Sequence, residues 1–146
     1  MRVSDIILHK PEWLKNRWLL AGSVFYVAMF VLGSIPTIER TFISTFNDKL
    51  MHFAAYSILT VLVYLGLRTQ IIGEFFLPRI LWCFAIVLGM GALDEITQYF
   101  VGRDPSFDGW LSDSAASVLI LMFIITGHLL LLGRHYYRPS DEPNQD

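Results

Sequence analysis

The chain has 146 residues, 54% of them hydrophobic and 16% charged, with a formal net charge of −2 and a mean hydropathy of +0.50. Soluble domains carry about 25% charged residues, so disorder, a collagen-like repeat and nucleic-acid binding are excluded at this level. The single cysteine, Cys83, rules out an intrachain disulfide framework and a Cys-cluster metal site.

Uncharged runs give the class. Trp18 to Ile38 holds 21 residues without a charge, Leu50 to Leu67 holds 18 and Ser114 to Gly133 holds 20. Each is long enough to cross a hydrocarbon core of about 30 Å at about 1.5 Å per residue. Ile80 to Leu93 is shorter at 14 residues, but read through Asp94-Glu95 to Val101 it reaches 22. The expectation is an all-α polytopic membrane protein, a bundle of four transmembrane helices over 18–36, 50–67, 80–101 and 112–133. A basic segment 1–17 precedes this membrane domain of 18–133, and a polar tail 134–146 follows it. The connections carry the helix-breaking residues Pro36, Gly73, Pro78, Gly102, Pro105 and Gly109. The first run is longer than a signal-peptide core and no Ala-x-Ala site follows it, so it reads as a retained span.

Orientation follows from the basic residues. With the amino terminus inside, eight of them are internal (Arg2, Lys10, Lys15, Arg17, Arg68, Arg79, Arg134 and Arg138) against three outside (Arg40, Lys49 and Arg103). That bias places both termini in the cytoplasm. Glu39, Asp48, Asp94, Glu95, Asp104, Asp108 and Asp113 then gather at or near the outer face.

Within the spans, the polar residues follow helical spacing. Asp48, His52 and Tyr56 fall at i, i+4 and i+8 and form one stripe. Asp94, Glu95 and Gln98 share one side of the third span, and the fourth opens Trp110-Leu-Ser112-Asp113-Ser114 with Ser117 a turn further in. Asp94 lies roughly 10 Å inside the outer boundary. A carboxylate at that depth costs a few kcal/mol unless paired, protonated or facing water, and marks a functional site by default. Asp48, His52, Asp94, Glu95, Gln98, Arg103 and Asp113 are therefore expected around one outward-facing polar cavity. The bland reading is interhelical hydrogen bonding, worth about 0.6 kcal/mol per contact, and it suits Gln98 or Ser117 taken singly. His128 and Cys83 read as packing residues, and Gly89 and Gly91 as points of close helix approach.

The run Asp48-Lys49-x-x-His52-Phe-x-x-Tyr56, then Asp94-Glu95-x-x-Gln98, then Arg103, Asp108 and Trp110-x-x-Asp113 resembles the VanZ-like membrane proteins. The resemblance covers Asp48 to Val118, close to half of the chain. It implies a small bacterial integral membrane protein of the cytoplasmic membrane, in a family named after a protein that lowers sensitivity to the glycopeptide teicoplanin. It also implies that Asp48, Lys49, His52, Tyr56, Asp94, Glu95, Gln98, Arg103 and Asp113 are motif positions. Two departures stand out. Gly109 precedes the Trp where many relatives have Asp, so the carboxylate of Asp108 is re-aimed within an outer loop. Ala116 stands where many have Gly, which would hold the fourth helix slightly further from its neighbour.

Three kinds of function fit. In an enzyme at the outer leaflet, His52 is the general base oriented by Asp48, with Asp94 or Glu95 as acid or second base. Lys49 and Arg103 then hold a phosphate or carboxylate of a lipid-linked or cell-wall precursor. In a binding protein, the cavity holds a headgroup, a precursor or a divalent cation. His52 with Asp94, Glu95 and Asp113 is an acceptable ligand set for Zn or Mn, and the carboxylates alone suit Mg or Ca. No His-x-x-x-His spacing is present, and no metal or other cofactor is assigned on sequence alone. In a structural subunit, the cluster only holds the bundle or a partner together. Four helices without an inverted repeat or a mid-membrane break give no alternating-access machinery. Membrane lipids are the expected surroundings in every case.

Overall fold

A computed structural model describes residues 12–33, 48–70, 75–100, 102 and 107–136, with the backbone alone at 12–15, 33, 48 and 134–136. The described residues form four helices and no strands: α1 (Glu12–Gly33), α2 (Asp48–Arg68), α3 (Phe76–Phe100) and α4 (Phe107–Tyr136). Three helices are long and apolar enough to cross a membrane, over Lys49–Arg68, Phe76–Phe100 and Phe107–Gly133. The apolar part of α1 is shorter, Asn16–Leu32, and its expected continuation to residue 36 lies outside the described residues. A third or less of each of the three spanning windows is buried, and large side chains such as Leu81, Trp82, Phe123 and Leu130 face outward. Helices apolar on their outer faces suit a hydrocarbon solvent.

The helices overrun the uncharged runs that announce them. α3 begins at Phe76 rather than 80, and α4 at Phe107 rather than 112. Backbone hydrogen bonding does not stop where the apolar residues stop, and charged side chains are tolerated on the end turns. Pro78 sits in the first turn of α3, where the missing N–H has no intrahelical partner to lose. The Arg79 amide already donates to the Phe75 carbonyl at 3.2 Å. At the far end of α3, Gly102 takes a left-handed φ of 78° and its N–H donates to the Tyr99 carbonyl at 3.3 Å. That closes the helix as a glycine C-terminal cap does.

Helix α2 packs against α1, α3 and α4, and α3 also packs on α4. α1 and α2 run antiparallel. Gln70 Nε2 donates to Asn16 Oδ1 at 3.0 Å, and a Cβ on Gly66 would lie 3.2 Å from the Leu19 amide nitrogen and closer still to its side chain. Only glycine allows that approach, which is the small-residue logic of membrane helix contacts. Tyr26 ties α1 to α3 by donating to the Met90 carbonyl at 3.2 Å.

The buried core is a set of stripes. α2 contributes Tyr56, Leu59, Val63 and Leu67, and α3 contributes Ile80, Cys83 and Val87, both at spacings of three and four. Two hydroxyls of α2 are satisfied locally: Thr60 donates to the Tyr56 carbonyl at 2.6 Å, and Ser57 to Phe53 at 2.7 Å. Cys83 is a buried free thiol 3.6 Å from the Thr60 carbonyl, and His128 stacks on Phe76 at 4.0 Å. Both serve packing, as their isolation in the sequence suggests.

Candidate functional site at one end of the bundle

The same stripes turn polar toward one end. On α3 the buried series Ile80, Cys83, Val87 continues as Gly91, Glu95 and Gln98, so the helical phase that buries the core also buries an acid and an amide. On α2 the stripe running back from Leu59 through Tyr56 reaches His52. On α4 the buried positions are Gly109, Asp113, Ala116, Ser117 and Leu121. Because α2 and α4 start where α3 ends, these polar segments share one end of the bundle.

They meet there. His52 Nδ1 lies 3.0 Å from Asp113 Oδ1, with side-chain exposures of 12% and 2%. Among the described side chains, the acid paired with His52 in this bond is Asp113, supplied by α4; the side chain of Asp48, expected to orient the imidazole, lies outside what the structure describes. Below it the Tyr56 ring stacks parallel to the imidazole, centroids 6.3 Å apart. Glu95 joins from α3, and one ligand-type atom each of His52, Glu95 and Asp113 lies within 4.8 Å of the others. The Tyr56 hydroxyl lies within electrostatic reach of the Asp94, Asp113 and Glu95 carboxylates. Gln98 is buried one turn beyond Glu95, and Asp94 is half-buried beside it.

Several buried polar atoms at this end have no hydrogen-bond partner among the described residues: the Tyr56 hydroxyl, Asp113 Oδ2 and Ser117 Oγ. Buried polar groups are ordinarily hydrogen-bonded, and leaving one unsatisfied costs about 1–3 kcal/mol. Three orphans on two adjoining helices are more than packing requires.

Lys49 and Asp108 stand apart from this core. Their 2.8 Å ion pair is exposed, at 59% and 63%, and Ser112 Oγ donates to the Lys49 carbonyl at 2.9 Å. Asp108, expected in a loop, occupies the first turn of α4, where an acid complements the helix dipole. The pair clips the start of α2 to that of α4. Exposed ion pairs contribute little and are screened by salt. Asp108→Asn should therefore leave the thermal unfolding midpoint in detergent at the wild-type value, and a clear drop would show that the clip carries more than this.

The side chain of Asp48 and all of Arg103 lie outside what the structure describes. Of the two glycines expected at close contacts, only Gly91 is at one. A Cβ there would lie 3.2 Å from Asp113 Oδ2 and 3.4 Å from Trp110, whereas Gly89 faces open space. Gly91 thus makes room for the buried acid, and Trp110 holds the corner by donating from Nε1 to the Leu88 carbonyl at 3.3 Å. Ser117, expected a turn inside Asp113, is buried there. One further residue near the site carries no motif signal: Tyr26 of α1, whose hydroxyl donates to the Met90 carbonyl one residue from Gly91. The available signal was a phenol inside an otherwise apolar run.

Chemically, the imidazole has two options. With Nδ1–H donating to Asp113, Nε2 keeps a lone pair that can take a proton from water; with Nδ1 unprotonated, the ring and the carboxylates can share a cation. No protein-family model, curated protein or solved structure matches the chain.

Proposed function

We propose that this chain is a VanZ-like protein of the bacterial cytoplasmic membrane, crossing it four times with both termini inside. In this reading it binds or modifies a cell-envelope component at the outward-facing polar end of α2, α3 and α4. The observation that carries the reading is the buried His52–Asp113 pair with Glu95 beside it, on the stripes that elsewhere form the apolar core. A bundle held only by packing gains nothing from replacing core residues with a histidine and two acids, since each carries a desolvation cost. The outer-leaflet side is supported by the charge bias of the loops. The substrate class is supported by chemistry: a lipid-linked or cell-wall precursor carries phosphate, carboxylate and amide groups that a histidine, acids and a nearby lysine can engage. A link to glycopeptide tolerance rests on the family resemblance alone.

The second reading, a structural or accessory subunit, is favoured by the interhelical ties Tyr26–Met90 and Lys49–Asp108, which need no ligand. Thermal unfolding in detergent separates the two. A panel of lipid-linked envelope precursors is added to purified protein, and the unfolding midpoint is followed. A true ligand at a hundred times its Kd adds about 2.7 kcal/mol to the folded state. We expect at least one precursor to raise the midpoint. No shift across the panel, with the protein otherwise well folded, would favour the structural subunit.

A further inference from the structure

We infer that His52, Glu95 and Asp113 form a binding site for one divalent transition-metal ion, of the Zn or Mn class. The inference concerns the cluster itself and does not depend on what envelope component, if any, the protein handles.

Three observations converge. The first is the donor set: one imidazole and two carboxylates, each from a different helix, with ligand-type atoms all within 4.8 Å. Two ligands about 2.1 Å from a tetrahedral ion lie roughly 3.4 Å apart. The 3.0 Å between His52 Nδ1 and Asp113 Oδ1 needs to open by only a few tenths of an ångström to admit one. The mixed nitrogen and oxygen set suits Zn or Mn better than Mg or Ca, which take oxygen almost throughout.

The second observation is the state of Asp113. It is 2% exposed, and Oδ2 has no hydrogen-bond partner among the described residues. That oxygen faces Gly91, on the α3 stripe that carries Glu95 one turn further on. Two buried carboxylates with ligand-type atoms within 4.8 Å of each other are costly, and a cation between them offsets both charges at once.

The third concerns a group that is not itself a ligand. Tyr56 is fully buried beneath His52, and its hydroxyl has no partner among the described residues while lying in the field of the Asp94, Asp113 and Glu95 carboxylates. In a loaded site that hydroxyl can donate to a ligating carboxylate, the outer-shell contact that metal centres ordinarily carry. Three protein ligands also leave at least one coordination position, the arrangement in which a zinc or manganese ion takes water or an anionic oxygen.

The test uses full-length protein in detergent, with a tag free of histidine. After chelation, the protein is dialysed against Zn2+ or Mn2+ and bound metal is counted by elemental analysis. The wild type should take up about one ion per chain, and His52→Gln and Glu95→Gln should each weaken binding at least about tenfold. Thr69→Ala, at the opposite end of α2, should bind as the wild type does. The proposal is overturned if the wild type takes up no stoichiometric ion of either metal, or if both site variants retain wild-type affinity. Should those variants fail to accumulate, a protein with the other three histidines (His9, His128 and His135) changed to Gln decides the matter. Loaded with Co2+, it should show visible bands and shifted proton resonances of a single ligated imidazole. The spectrum of the free aquo ion instead would count against the site.

Discussion

His52→Gln should abolish the response of the protein to its envelope ligand while leaving the bundle folded. The affinity or turnover measured for whichever precursor stabilises the wild type is expected to fall at least about a hundredfold, the lower range for loss of a general base or a metal ligand. Gln has similar length and can still donate to Asp113 Oδ1, so the pair at 3.0 Å loses its imidazole chemistry and keeps a hydrogen bond. The unfolding midpoint without ligand should therefore change by the equivalent of less than about 1 kcal/mol, the net value of an ordinary hydrogen bond. A purely structural cluster gives the opposite pattern. There the ligand-free midpoint falls and no separate functional loss accompanies it. Measuring both quantities on one preparation distinguishes the two, and an unchanged ligand response in a folded variant would remove His52 from the site.

Much of this architecture was legible in the sequence, for a physical reason. Three helices are long and apolar enough to cross a membrane, and a segment in hydrocarbon has few alternatives to helix because every backbone polar group must be satisfied internally; the apolar part of α1 is shorter. Helix ends were less legible. The pattern of charges marks where lipid is expected to end, whereas the helix ends where its last carbonyls find a cap, as at Gly102. The site was legible as a set of residues but not as a set of partners. Periodicity put His52 and Tyr56 on one face of α2 and Glu95 and Gln98 on one face of α3, and these side chains are buried or nearly so. It could not say that α4 supplies a partner for His52, because the pairing depends on the relative shift of two helices along their axes. That shift is set by contacts such as Gly91 against Asp113, which carry no periodic signal. Composition alone treats Gly89 and Gly91 alike, whereas helical phase puts residues two apart on different sides of the helix, and of the two Gly91 meets Asp113.

That difference yields a sharp contrast. Gly89→Ala places a methyl in open space, whereas in Gly91→Ala the new Cβ stands 3.2 Å from Asp113 Oδ2 and 3.4 Å from Trp110. The first is expected to be neutral or slightly stabilising, because alanine has the higher helix propensity by about 1 kcal/mol. The second should cost about 1–3 kcal/mol, the usual range for overpacking a fitted contact. Gly91→Val adds two methyl groups at the same point and should destabilise further, since Asp113 is buried and its Oδ1 is already engaged with His52. Trp110 has little room to yield either, because its indole N–H is bonded to the Leu88 carbonyl. Thermal unfolding of the variants in one detergent orders them: Gly89→Ala at or above wild type, Gly91→Ala below it and Gly91→Val lowest. The site should fail in the same order, because a residue that displaces Asp113 separates it from His52 and Glu95 together. If Gly91→Val unfolds with the wild type, α3 and α4 do not approach each other as closely as this site requires, and the cluster loses the wall that brings its acids together.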